Sequence, residues 1–103
     1  MAQFDVFRNT GDSAEHYPYI VVLQSDLIPS KKSQVVAPLS HSSQFEKMLK
    51  VCPLVELESE QWMLIIPHLT SIPSSYLVEK VANIESDRGD ILMALDRLFT
   101  GIG

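Results

Sequence analysis

The chain has 103 residues, enough for one domain spanning 1–103 and too few for two. With 46 % hydrophobic and 20 % charged residues it can collapse around a core, which excludes wholesale disorder. Eight Lys and Arg against thirteen Asp and Glu leave a net charge of −5, which argues against nucleic acid as a direct ligand, since phosphate binding wants a basic face.

Residues 3–7 alternate around Phe4 and Val6 and predict a first strand, ended by the turn cluster Asn9-Thr10-Gly11-Asp12-Ser13. A second strand is expected over 17–23, with Pro18 confining its start to an edge or a first position. In it Tyr19, Val21 and Leu23 point one way and Ile20 and Val22 the other, so both faces need cover. The polar loop that follows carries the apolar pair Leu27-Ile28, and a third strand is expected over 34–39. Phe45, Met48 and Leu49 stand at helical spacing, leaving a short helix or helical turn open over 43–50. Residues 53–57 and 61–66 predict a hairpin joined by Glu58-Ser59-Glu60. The cluster over 71–75 predicts a turn, and 76–81 a last strand.

From Ser86 the period changes to that of a helix, with Ser86 or Asp87 as cap and acidic residues in the first turn. Ile91, Ala94, Leu95, Leu98 and Ile102 gather on one stripe, flanked by Leu92 and Phe99, while Met93, Asp96 and Thr100 fall opposite. Gly101 lets the chain leave the helix. The expected fold is mainly β with a C-terminal α-helix, a small barrel or strongly bent antiparallel sheet. One helix cannot cover every two-sided apolar strand, which predicts self-association, most economically as a two-fold homodimer.

No apolar run reaches the ~18 residues of a membrane helix, and no basic-then-apolar leader opens the chain, so a cytoplasmic protein is expected. Cys52 is the only cysteine and reads as a small buried hydrophobe. His16, His41 and His68 stand in separate segments and read as solvated surface residues. Asp87 and Asp90 serve the helix dipole more simply than they serve catalysis, and Lys31-Lys32 is too small a patch to hold nucleic acid. Neither enzymatic machinery, a metal nor a cofactor is expected. The positive signal is apolar groups where water is expected: Leu27-Ile28 in a polar loop, Met93 opposite the core stripe, and Phe99 at its margin. Together they point to a protein-binding face.

These residues also carry a resemblance. Gln3-Phe4-x-Val6, Val22-Leu23-Gln24-Ser25-Asp26-Leu27-Ile28, Val36-Ala37-Pro38-Leu39, Cys52-Pro53-Leu54-Val55 and Trp62 occur in the order and near the spacing of the CcdB family of bacterial toxins. So do Thr70-Ser71-Ile72-Pro73, Glu79-x-Val81-Ala82 and the end from Gly89-Asp90-Ile91 to Leu98-Phe99-Thr100-Gly101-Ile102. The chain resembles that family over essentially its whole length, with length differences in the Asn9–His16 loop and after Leu39.

The resemblance implies a homodimeric SH3-like barrel that binds the DNA gyrase A subunit, traps the gyrase–DNA cleavage complex, and is not itself an enzyme. It implies neutralisation by a CcdA-like antitoxin with a disordered tail, and co-repression of the operon through the antitoxin's DNA-binding domain, the toxin meeting DNA only indirectly. Plasmid maintenance is the role expected of such a pair. Gyrase-contacting positions map onto Leu27, Ile28, Asp96, Phe99, Thr100, Gly101 and Ile102, and helix phase adds Met93 to that face. The best-known member carries Trp at the position of Thr100 and Asn at that of Asp96, so Phe99 is the large anchor remaining here. The alternative within the same fold is an endoribonuclease toxin of the MazF/Kid type.

Overall fold

The computed structural model describes residues 1–28, 32–41 and 50–101. Among these residues seven strands, β1 (Asp5–Arg8), β2 (Tyr19–Val22), β3 (Ser33–Ser40), β4 (Leu54–Leu57), β5 (Glu60–Leu64), β6 (Thr70–Pro73) and β7 (Lys80–Asn83), precede the α-helix α1 (Arg88–Thr100). All pairings are antiparallel, in the order β4-β5-β3-β2-β1-β7, with β6 also on β3. β3 is the spine. Val36 to Leu39 pair with β2, while along the other edge Ser33 to Val36 pair with β6 and Leu39 and Ser40 with β5. A strand that changes partner along its length curls the sheet, and α1 packs against the inner face of the resulting half-barrel. The mainly β fold with a C-terminal helix is the one expected.

Several boundaries moved for local reasons. Phe4 has φ 69°, so the chain becomes extended only at Asp5, and Pro67 opens a 3-10 turn (Ile66–His68) that shortens the apolar run. Two expectations are corrected. The cluster expected to turn at 71–75 holds β6, because Ser71 and Pro73 lie in a strand paired only with β3, where a proline can end the ladder. The last strand is Lys80–Asn83 rather than 76–81; Ser74–Tyr76 is a 3-10 turn, and β7 takes its register from β1. The helix left open over 43–50 falls almost wholly outside the described residues.

The two-sided pattern of β2 is realised. Val21 and Leu23 enter the inner cluster with Phe4, Val6, Ala37, Leu39, Trp62, Leu64, Ile91 and Ala94. Ile20 and Val22 enter a second cluster with Phe7, Val36 and Leu77, against which Ile72 packs. That outer face is thus covered by β6 and the connection to β7, inside one chain. The apolar strands therefore do not by themselves require a second copy. Cys52 lies in a third cluster with Met63 and Ile65, and its burial pushes the thiol pKa up, away from a reactive thiolate.

The β4–β5 hairpin closes between Leu57 and Glu60, so its loop is the two residues Glu58 and Ser59. Their φ values of 53° and 67° are those of a type I′ turn, a conformation that favours Asn and Gly. Ser59→Gly is expected to stabilise the protein by about 1 kcal/mol by relieving the left-handed backbone, read as a higher urea midpoint; a lower midpoint would contradict the turn assignment. Trp62 is 5 % exposed, with the Tyr19 ring edge-on at 5.0 Å and His41 stacked at 3.6 Å. Trp62→Ala should cost about 3–5 kcal/mol in denaturant unfolding, and a loss under about 1 kcal/mol would place the ring outside the core.

Candidate functional site

α1 separates two chemistries by phase alone. Ile91 and Ala94 are buried, and Leu95 and Leu98 pack half-buried against the inner cluster. On the reverse Met93, Asp96 and Thr100 meet solvent, as do Leu92 and Phe99 on the flank, with Phe99 71 % and Met93 43 % exposed. The Thr100 hydroxyl donates to the Asp96 carbonyl at 2.6 Å, back along the helix. Gly101, at φ 72°, is the left-handed cap, its N–H donating to the Arg97 carbonyl, so a side chain here would be strained. Arg97 also donates to the Lys50 carbonyl at 3.2 Å, stapling the last turn to the segment before β4. Ile102 lies outside the described residues.

The loop after β2 is the second exposed apolar element, with Leu27 91 % and Ile28 60 % exposed. It is tied down. Ser25 accepts from the Leu27 N–H through its hydroxyl and from the Ile28 N–H through its carbonyl, both at 3.1 Å. Gln24 donates to the Ile28 carbonyl and accepts from the Val35 N–H, each at 3.2 Å. Asp26 accepts the Gln3 N–H at 2.7 Å. Apolar side chains held out into water on the hydrogen-bonded backbone of residues 24–28 meet part of the entropy cost of docking in advance.

Of the residues singled out in the sequence, Met93, Asp96, Phe99, Thr100 and Gly101 lie together on the outer face and end of α1, and Leu27 and Ile28 on the loop. The loop is tied to Gln3, and Gln3 to Arg88 at the helix start. Phe99 is eleven residues further on, roughly 16 Å along the axis at the usual rise. The face therefore has two parts, at some distance from each other.

Elsewhere the groups stay apart. His41 stacks on Trp62 and stands 3.8 Å from Glu60, while His68 lies near the Tyr17 hydroxyl at 3.4 Å. An open groove of about 620 Å³ runs between the 9–13 turn and the second apolar cluster, floored by Ile20, Val36 and Ile72 and edged by Asn9, Tyr17 and His68. Among the described residues no group of three His, Cys, Asp or Glu is placed to hold a metal, and no helix is long and apolar enough to cross a membrane.

Sequence reasoning missed the buried carboxylate. Asp5, 1 % exposed, accepts from the Ala2 N–H at 2.7 Å, Asn83 at 2.9 Å and Lys80 at 3.2 Å. Burial pushes its pKa up, but the hydrogen bonds from Asn83, Ala2 and Lys80 and the lysine charge outweigh that and leave it lowered. Asp87, just before α1, makes no capping hydrogen bond, and burial with Asp90 and Glu56 nearby pushes its carboxyl up.

Compared with known protein families, residues 3–101 match the family model of the CcdB protein, a span that includes the loop and the helix down to its glycine cap.

The two carboxylates pull stability in opposite directions. Asp5, lowered in the folded chain, stabilises above its ordinary value of 3.8, and that contribution is lost as pH falls through its lowered pKa. Asp87, raised, contributes stability that is present below 3.8 and lost as pH rises through its raised pKa. In urea unfolding near neutral pH, Asp5→Asn should therefore destabilise by about 1–3 kcal/mol while Asp87→Asn stabilises. The same sign for both would contradict these environments.

Proposed function

The chain belongs to the CcdB family, toxins of toxin–antitoxin systems, and on that premise we propose that it acts in the cytoplasm as a gyrase poison. In this reading a homodimer binds the DNA gyrase A subunit and traps the gyrase–DNA cleavage complex. The observation that carries the reading is the solvent side of α1, where Met93 on the reverse and Phe99 on the flank face water while the inner stripe packs on the core. With Leu27 and Ile28 on the loop, Asp96, Thr100 and Gly101, they form a docking surface of aromatic and aliphatic anchors with a few polar groups. A net charge of −5 suits a protein target better than a phosphate backbone.

Poisoning follows from differential affinity. A two-fold toxin that binds the DNA-cleaved conformation of a two-fold enzyme more tightly than the resealed one shifts the population toward cleavage, without chemistry of its own. Neutralisation falls to a CcdA-like antitoxin whose disordered tail folds as it docks, wrapping a large surface at the cost of its ordering entropy. The antitoxin's DNA-binding domain then makes the pair a repressor of its operon.

Endonucleolytic RNA cleavage would need a base, an acid and cationic stabilisation gathered at one phosphate. The three arginines are engaged apart, Arg8 with Glu79, Arg88 with Gln3 and Arg97 with the Lys50 carbonyl. Purified gyrase with supercoiled DNA should accumulate cleaved DNA when the toxin is added; RNA cut with gyrase untouched would overturn the proposal. By calorimetry against a gyrase A fragment, Phe99→Ala should weaken binding by about 2 kcal/mol and Asp96→Ala by less. Equal losses would contradict the aromatic's role as anchor.

A further inference from the structure

Gln3 and Phe4 belong to the motif that opens the chain, yet the docking surface does not include them. Every polar group of Gln3 is engaged, and by different elements. Its N–H donates to Asp26 at 2.7 Å and its side-chain amide to the Leu23 carbonyl at 3.0 Å, holding both ends of the stretch before Leu27. Its carbonyl accepts from Asn83 at the end of β7, and its side-chain oxygen accepts from Arg88, the first residue of α1, at 3.2 Å. Phe4, beside it, is a buried aromatic at φ 69°, a costly backbone state for a bulky residue. Its backbone bonds both to Val22 and to Ile84, so the strained residue is fixed from two sides.

Arg88 itself stands against local electrostatics, because a cation at the start of a helix opposes the helix dipole. Its compensating contacts are the Gln3 amide and the Phe4 ring, 5.6 Å below the guanidinium. Leu27 and Ile28 bond to Ser25 and Gln24, and Gln24 in turn to Val35 of β3. Among the described residues, Gln3 bonds both Asp26 in the loop and Arg88 at the start of α1.

We propose that Gln3, clasped by Arg88, is a positioning residue for the partner-binding face: it fixes the Leu27-Ile28 loop against the start of α1 so that both apolar elements are presented in one geometry. The inference rests on the docking surface proposed above. A loop released from the clasp samples other arrangements, and apparent affinity falls in proportion to the binding-competent fraction.

The test uses Gln3→Met and Arg88→Met, which keep side-chain length and remove the side-chain hydrogen bonds of the clasp, to Leu23 and between Gln3 and Arg88, while the main-chain bond to Asp26 stays, with the double variant. In the free protein, amide exchange at Leu27 and Ile28 should quicken about tenfold in Gln3→Met, while Val21 and Leu64 in the core keep wild-type rates. Affinity for a gyrase A fragment should fall about tenfold in each single variant, with the double variant losing little more, because both break one clasp. Unchanged exchange at the loop overturns the clasp. Equal quickening in the core makes Gln3 a residue of general stability and also overturns it, as does a faster loop with unaltered affinity. A wild-type chain that ignores the gyrase fragment fails the proposed function instead, and the exchange rates still decide the clasp.

Discussion

The governing constraint is that a chain of 103 residues carries strands apolar on both faces and ends in a helix that can cover only one of them. The inner face closes against Ile91 and Ala94. The outer face closes by another route, with Ile72 and Leu77 brought over Phe7, Ile20, Val22 and Val36. That lid works because β6 and β7 pair with different strands, β3 and β1, and carry the intervening connection across the sheet. Placement of the last two strands is thus a consequence of what the second face needs.

Since the helix is committed inward along one stripe, its reverse is turned away from the core by geometry. A thirteen-residue helix capped by a left-handed glycine places Met93, Asp96 and Thr100 on that reverse without any further device. What the helix alone cannot do is set the Leu27-Ile28 loop relative to itself. In the proposed clasp Gln3 does that, bonded to Asp26 of the loop and to Arg88 of α1, so residues 85 positions apart set a segment in the first third of the chain.

Features with a local period were legible in the sequence. Alternation assigned Val21 and Leu23 to one face and Ile20 and Val22 to the other, and helix phase separated Ile91 from Met93. Features set by distant partners were not. Ser71 and Pro73 look like a turn until β3 offers them a ladder. Asp5 looks misplaced in a strand until Lys80 and Asn83, 78 positions away in the latter case, supply its hydrogen bonds. Nothing in a phenylalanine announces the positive φ of Phe4, and nothing in Glu58-Ser59 announces a turn that usually asks for glycine. The exposed half of the candidate site, Leu27 and Ile28 included, could be picked out because apolar side chains in a polar loop are locally anomalous. Gln3 and Arg88, 85 residues apart, carry no such mark.

In the proposed function one helix holds the fold with its inner stripe and docks a partner with its solvent side. Hydroxyl-radical footprinting of the toxin, free and bound to a gyrase A fragment, reads side-chain exposure on both stripes at once. Strong labelling of Met93, Phe99 and Leu27 is expected in the free protein and its loss in the complex, with Ile91 unlabelled throughout. Undiminished labelling of Met93, Phe99 and Leu27 in a formed complex, with protection appearing instead around Tyr76 and Val78, would contradict it.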